Sequence, residues 1–234
     1  MTADILQVRR DGDFSYPIIF RKDFSDLSAQ LKRLGLTKRK FCIVTDSTVA
    51  PLYLNTVKKE LERCAFFVTS YVLPAGEENK TLEQIQGIYQ HLIEMHFDRK
   101  DFLVALGGGV VGDMTGFAAA TYLRGIDFLQ VPTTLLAQVD SSIGGKTGVD
   151  FLKYKNMVGA FHQPRMVYMN VSTLCTLPLE QFSCGMGEVV KHGFIRDQSY
   201  SQWLYENRAK ILALDTDTLS EMICRSCVIK KTVV

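Results

Sequence analysis

An apolar run, Phe102–Leu106, leads directly into Gly107-Gly108-Gly109-Val110-Val111-Gly112-Asp113 and then into a helical pattern. A chain that turns on G-x-G-x-x-G between a buried strand and a helix is held to a layered α/β arrangement, with the helix N-terminus at the carboxyl end of the strand. Small residues there let backbone N–H groups reach phosphate oxygens. The same glycines can also serve only close helix-to-sheet packing, and the local sequence leaves both roles open. The motif falls on about the fourth strand rather than the first, and no acidic residue stands convincingly about 20 residues on to grip a ribose. That counts against an ordinary dinucleotide-dependent dehydrogenase.

The runs Tyr16–Phe20, Phe41–Thr45, Phe66–Leu73, Phe102–Leu106, Phe128–Val131 and Met166–Met169 read as strands alternating with helical patterns. The alternation predicts right-handed crossovers and a mainly parallel sheet. The clearest helix is Thr81–His96, where Thr81 and Gln84 have capping-box spacing and Leu82, Ile85, Tyr89, Leu92, Ile93 and His96 fall on one face. On that helix His91 and His96 read as surface or packing residues. After about Asn170 the strands stop, and 177–195, 199–215 and 216–234 all read as helices. The last runs to Val234 with no capping glycine, proline or polar tail, so the expectation is an α/β part over 1–170 and the start of an all-α domain over 171–234, cut off inside that domain.

The balance of 27 Lys+Arg against 25 Asp+Glu gives a net charge of +2, which creates no overall field for nucleic acid or anionic lipid. No run approaches the length of a membrane span, and the N-terminus lacks a leader pattern, so a cytoplasmic protein is expected. The six cysteines sit in apolar or helical contexts and read as reduced core thiols. Cys224-Arg-Ser-Cys227 has C-x-x-C spacing without a second pair, which argues against zinc or redox use.

Polar groups collect in the turns. Pro74-Ala75-Gly76-Glu77-Glu78-Asn79-Lys80 follows a strand, where a carboxylate can accept ribose hydroxyls or simply sit in a solvated loop. Asp46 ends another strand and reads equally as a helix cap. Val131-Pro132-Thr133-Thr134 is followed by Asp140-Ser141-Ser142-Ile143-Gly144-Gly145-Lys146-Thr147, which looks like the tail of a P-loop. The upstream glycine of that motif is absent and the preceding element reads as helix, so nucleoside triphosphate hydrolysis is disfavoured and an anion clamp remains. Glu188, Lys191 and His192 share one helix face at i, i+3 and i+4, as a metal-binding carboxylate with neighbours or as a surface ion pair.

Taken together, LGGGVVGDMTGFAAATYLRG, VPTTLLAQVDSSIGGKTGVD, KNMVGAFHQP and TLPLEQFSCGMGEVVKHG closely resemble, in order and spacing, the 3-dehydroquinate synthase family, over about Phe41 to Val234. The resemblance implies a Rossmann-like domain followed by a helical domain, the site in the cleft between them, and a homodimer. It implies conversion of 3-deoxy-D-arabino-heptulosonate 7-phosphate into 3-dehydroquinate and phosphate, in the shikimate pathway, with catalytic NAD and Zn2+ or Co2+. In that chemistry an alcohol is oxidised, phosphate leaves, the ketone is reduced again and the ring recloses as a carbocycle.

By the same resemblance, NAD contacts fall on Asp46, the loop Ala75, Gly76, Glu77, Glu78, Asn79 and Lys80, and the turn Gly109, Val110, Val111, Gly112 and Asp113. Thr133, Thr134, Lys146, Lys155, Thr173, Leu174, Cys175 and Thr176 complete that set. Lys146, Lys191 and Asp140 take catalytic roles, Arg124, Asn156 and Lys230 hold substrate, and Glu188 is a metal ligand. The family's two metal-binding histidines belong to later motifs, N-x-G-H-x-x-G-H and H-G-E, which this sequence does not contain, so the chain is expected to bind NAD without turning over. Another sugar-phosphate cyclase of the inosose or valiolone type, a metal-dependent polyol dehydrogenase and a non-catalytic NAD-binding remnant are the competing readings.

Overall fold

The computed structural model describes residues 4–10 and 13–232; Val233 and Val234, the end of the last expected helix, lie outside the described residues. Seven strands form one sheet: β1 (Ile5–Arg10), β2 (Asp13–Arg21), β3 (Lys40–Asp46), β4 (Phe67–Leu73), β5 (Phe102–Gly107), β6 (Asp127–Pro132) and β9 (Val167–Asn170). Their order is β1-β2-β9-β6-β5-β3-β4. Only β1 and β2 pair antiparallel; the other neighbours are parallel. A separate antiparallel hairpin, β7 (Lys146–Phe151) and β8 (Tyr154–Phe161), stands between β6 and β9 in the chain.

Period-two burial divides the sheet between two apolar layers. Phe41 and Ile43 of β3, with Phe102, Val104 and Leu106 of β5, meet Leu27 and Leu31 of α1 (Leu27–Arg33) and Val57 and Leu61 of α2 (Asn55–Glu62). Cys42, Val44, Leu103 and Phe128 point the other way, onto α3 (Leu82–Glu94) and α4 (Gly109–Thr121). With both faces covered, β5 is buried along its whole length, as a central parallel strand must be. α5 (Leu179–Arg196), α6 (Gln198–Glu206), α7 (Arg208–Leu212) and α8 (Thr216–Lys231) share a third apolar cluster with Leu6, Val8, Tyr16, Ile18, Val167 and Met169 at the β1-β2-β9 side. Chain order reverses direction between β3 and β5, and such a switch point leaves a crevice at the carboxyl ends of the strands.

α4 lies close to its neighbours where it presents glycine instead of a side chain. A Cβ on Gly112 would come within 2.9 Å of Gln130 Oε1, and one on Gly116 would collide with Thr147 Cγ2 and lie 3.1 Å from Phe128 Cζ. Packing is therefore one real role of these glycines. Gly144 and Gly145, at φ +102° and +68°, turn the chain into β7 through the left-handed region.

All six expected strands are present, within a residue or a few at their ends. β1, β7 and β8 were not expected, so the glycine turn follows the fifth strand in chain order rather than the fourth. The expected helix Thr81–His96 is α3, where Thr81 Oγ1 accepts from the Gln84 N–H at 3.3 Å. Its buried stripe is Ile85, Ile88 and Leu92; Ile93 is 63 % exposed, and His96 lies beyond the helix at φ +54°. The single helix expected over 199–215 is broken at Asn207 into α6 and α7. Among the cysteines, Cys175 and Cys184 are exposed rather than in the core. His91 bonds Thr69 Oγ1 through Nε2 at 3.1 Å and packs on Tyr71, a packing role. No described helix is long and apolar enough to cross a membrane.

Gly116→Val should cost about 1–3 kcal/mol, the usual penalty for overpacking, whereas Gly187→Ala, whose Cβ meets nothing within 4 Å, should be neutral or stabilising. Urea unfolding of the two variants measures the difference, and equal midpoints would remove the close-approach explanation.

Candidate active site

The carboxyl ends of β3, β4, β5 and β6 open into a cavity of ≈ 590 Å³. Asp46 borders it after β3, and Ala75, Gly76, Glu77 and Lys80 border it after β4. Gly109, Val110, Val111 and Asp113 enter from the first turns of α4, Thr133 and Thr134 from the end of β6, and Thr173 and Thr176 from the turn Val171–Thr176. Residues distant in sequence thus meet because they terminate neighbouring strands.

The chemistry of this cavity suits a phosphate-bearing ligand. α4 begins at Gly108 without a side-chain cap, so the first N–H groups of a 13-residue helix are left for a partner, with the positive end of the helix dipole behind them. The Thr133 hydroxyl is buried with no hydrogen-bond partner among the described residues. Asp46 Oδ1 accepts from the N–H groups of Thr48 at 2.8 Å and Val49 at 2.9 Å, so its capping role is realised while its side of the strand end borders the cavity. Asn79 closes its own loop by donating to the Ala75 carbonyl at 2.9 Å.

A second cavity, ≈ 620 Å³, lies under the hairpin and includes Asp113, Asp140, Lys146, Asn156 and Lys230. Asp113, Asp140 and Ser141 border both spaces, which therefore share a wall. Lys146 is exposed and forms no ion pair among the described residues, leaving its charge available to an anion. Lys230 pairs with Asp140 Oδ1, and Lys80 Nζ lies 2.6 Å from Asp113 Oδ2. Burial pushes the Asp113 carboxyl up from its ordinary pKa, against the pull of the Lys80 ammonium.

Beside this wall, on α5, Glu188 Oε1 sits 2.6 Å from Lys191 Nζ and 3.2 Å from His192 Nε2. The ligand atoms of Asp140, Glu188 and His192 all lie within 4.8 Å of one another. Two carboxylates and an imidazole are a donor set that a divalent transition ion accepts. His192 is 3 % exposed and its Nδ1 has no hydrogen-bond partner among the described residues. Burial lowers its pKa from 6.5, outweighing the nearby Glu188 and Asp140 carboxylates, while the hydrogen bond to Glu188 raises that of Lys191.

Several expected residues stay outside both cavities. Glu78, Asn79 and Gly112 belong to the loop and helix behind the first, Leu174 is in the core and Cys175 is exposed. Lys155 is an exposed partner of Glu77, at 3.2 Å. Arg124 is exposed in a segment where Leu123, Arg124 and Gly125 all have positive φ, and it borders neither space. Glu188 and Lys191 border neither directly.

The profile of 3-dehydroquinate synthase, N-terminal, matches residues 70–184, and that of its C-terminal part matches 185–234. The chain belongs to the 3-dehydroquinate synthase family. It is 48% identical over 222 residues to the 3-dehydroquinate synthase of Ruminiclostridium cellulolyticum, covering 94% of this chain and 61% of that one, so the likeness begins before Phe41. The 3-dehydroquinate synthase of Shewanella frigidimarina is 49% identical over 223 residues, 95% of this chain and 62% of that protein. The chain spans about three-fifths of the length of the curated relatives it matches. Among solved structures, 2-deoxy-scyllo-inosose synthase complexed with carbaglucose-6-phosphate, NAD+ and Co2+ superposes with TM-score 0.84 at 25% identity, covering 98% of this chain and 62% of that one. The Rossmann-like α/β fold expected from the motifs is the fold of these cyclases.

Sequence reasoning missed Tyr53, whose hydroxyl bonds Thr176 Oγ1 across the mouth of the first cavity, and Ser141 in the shared wall. Nothing local marks Tyr53, while Ser141 was visible as a hydroxyl beside Asp140. A pH effect follows from His192. A depressed folded pKa means that the unfolded chain takes the proton first, so stability is full above pH 6.5 and is lost as pH falls from there through the folded pKa. In His192→Gln the fall in Tm on acidification should be shallower than in the parent chain; parallel curves would show that His192 contributes nothing.

Proposed function

We propose that this chain performs the NAD- and sugar-phosphate-binding work of 3-dehydroquinate synthase, the conversion of 3-deoxy-D-arabino-heptulosonate 7-phosphate to 3-dehydroquinate and phosphate. The observation that carries the reading is the wall of Asp113 and Asp140 shared by the two cavities, with an uncapped helix N-terminus on one side and an unpaired lysine on the other. A hydride acceptor and a phosphorylated sugar taken up there would meet across that wall. In this assignment residues 1–170 hold the dinucleotide and 171–234 begin the part that holds metal and substrate, in a cytoplasmic homodimer. Arg124, exposed and outside the lining of both cavities, then acts on substrate from a neighbouring copy.

NAD held at the first turn of α4 would supply a reversible hydride acceptor, and a divalent ion held at Glu188 would lower the pKa of the substrate alcohol. The chain's own residues do the rest. The first turn of α4 and the Thr133 hydroxyl take pyrophosphate and neighbouring oxygens, and Glu77 takes ribose hydroxyls. Lys146, whose charge is unshared, grips the sugar's phosphate, and Asn156 lies at the same cavity. Lys230 and Lys191 now neutralise Asp140 and Glu188. An anionic substrate competes for their protons, which leaves the two carboxylates free to face a cation or to accept a substrate hydroxyl. Asp140, facing both cavities, orients the reacting carbon toward the dinucleotide.

Calorimetric titration should show NAD binding to the 234-residue chain. Lys146→Ala should weaken sugar-phosphate binding about 10- to 100-fold, the worth of a hydrogen bond to a charged group. Phosphate release is then assayed with NAD, Co2+ and each of three substrates: the heptulosonate phosphate, glucose 6-phosphate and sedoheptulose 7-phosphate. Release or binding that favours either of the other two substrates would move the assignment to an inosose or valiolone cyclase. NAD binding with no sugar-phosphate binding would reduce the chain to a dinucleotide-binding module.

A further inference from the structure

Lys80 is 4 % exposed, while Lys230, Lys191 and Lys155 near the cleft are 21 %, 56 % and 71 % exposed. A buried ammonium is tolerated only when its protons are taken. Lys80 gives one to Asp113 Oδ2 at 2.6 Å and one to Asn156 Oδ1 at 2.5 Å. Its backbone carbonyl also accepts from the Asp150 N–H at 2.9 Å. A single residue thus pins the loop after β4 to α4 and, twice, to the β7–β8 hairpin.

The hairpin end of this link is itself held in a set geometry. Asn156 has φ +55°, a left-handed conformation that asparagine tolerates better than most residues, and its N–H donates to Asp150 Oδ1 at 2.7 Å. Lys80 belongs to the wall of the first cavity, Asn156 to that of the second, and Asp113 to both. The geometry points to Lys80 as a positioning residue that couples the two cavities, so that a dinucleotide ordering the Ala75–Lys80 loop sets Asn156 in place for the sugar phosphate. This rests on the functional reading above. A shift of the loop cannot strand a buried ammonium, so its two acceptors move with it. The parallel strap, Lys155 to Glu77, is exposed and screened, and surface pairs of that kind transmit little.

Coupling between two sites is reciprocal: NAD should tighten heptulosonate-phosphate binding by about 5-fold or more, and the sugar phosphate should tighten NAD binding by the same factor. Both affinities are measured calorimetrically on the full chain, each alone and with the other ligand saturating. In Lys80→Met the factor should fall to about 1, whatever affinity the variant keeps for NAD alone. A variant that is merely less well folded loses both affinities together and keeps their ratio. Should Lys80→Met fail to fold, Asn156→Ala severs the same link from the exposed hairpin and should give the same loss of coupling. Coupling retained in either folded variant, or absent from a parent chain that binds both ligands, overturns the proposal. A parent chain that binds no NAD instead overturns the functional reading, and the coupling falls with it.

Discussion

A helix can lie against a sheet as closely as α4 does only where it presents hydrogen instead of a side chain. Gly112 against Gln130 and Gly116 against Thr147 and Phe128 set that distance. Everything at the cleft depends on it. The approach fixes the first turn of α4 at the carboxyl end of β5, brings Asp113 into the wall between the cavities and gives the hairpin a surface to rest on. The competing roles left open by the glycine motif are therefore both filled by the same segment, packing by its later glycines and an uncapped N-terminus by its earlier ones.

Around that helix the charged groups of the cleft are paired in a consistent manner. Lys80 with Asp113, Lys230 with Asp140 and Lys191 with Glu188 each place one ammonium on one carboxylate. They differ in burial, from an almost fully buried Lys80 to a Lys191 open to solvent, and burial decides what each can do. An exposed lysine can leave its carboxylate for an incoming phosphate at little cost, because water replaces the lost partner. A buried one cannot, because leaving its acceptors exposes an unpaired charge to a poorly polarisable interior. The first kind suits ligand exchange and the second suits a mechanical link.

Legibility in the sequence followed the range of the forces involved. β3 and β5 were visible because strands covered on both faces must be continuously apolar, and α3 was visible through its Thr81 cap. β7 and β8 were hidden because their residues, rich in Gly, Lys and Asp, look like turns; they form strands because each supplies the other's backbone partners and α4 covers one side. The stripe of α3 was read correctly at Ile85 and Leu92, but it included the exposed Ile93 and left out Ile88, which is buried. At the site, most of the strand-end residues expected to contact NAD border the first cavity. Arg124, Cys175 and Leu174 were not brought to it, since a matching motif carries no information about which way its turn faces.

What the amino-acid order determined by itself was the set of short-range features: strand alternation, the glycine turn, the helix cap and the family. These depend on backbone conformation and burial pattern within a few residues. Which charges meet was decided only by the tertiary structure. Lys80 finds Asp113 33 positions away and Asn156 76 positions away, and Asp140, Glu188 and His192 converge from two helical segments. Such encounters depend on how closely helices and sheet can pack. That is a property of the assembled core and not of any local stretch of chain.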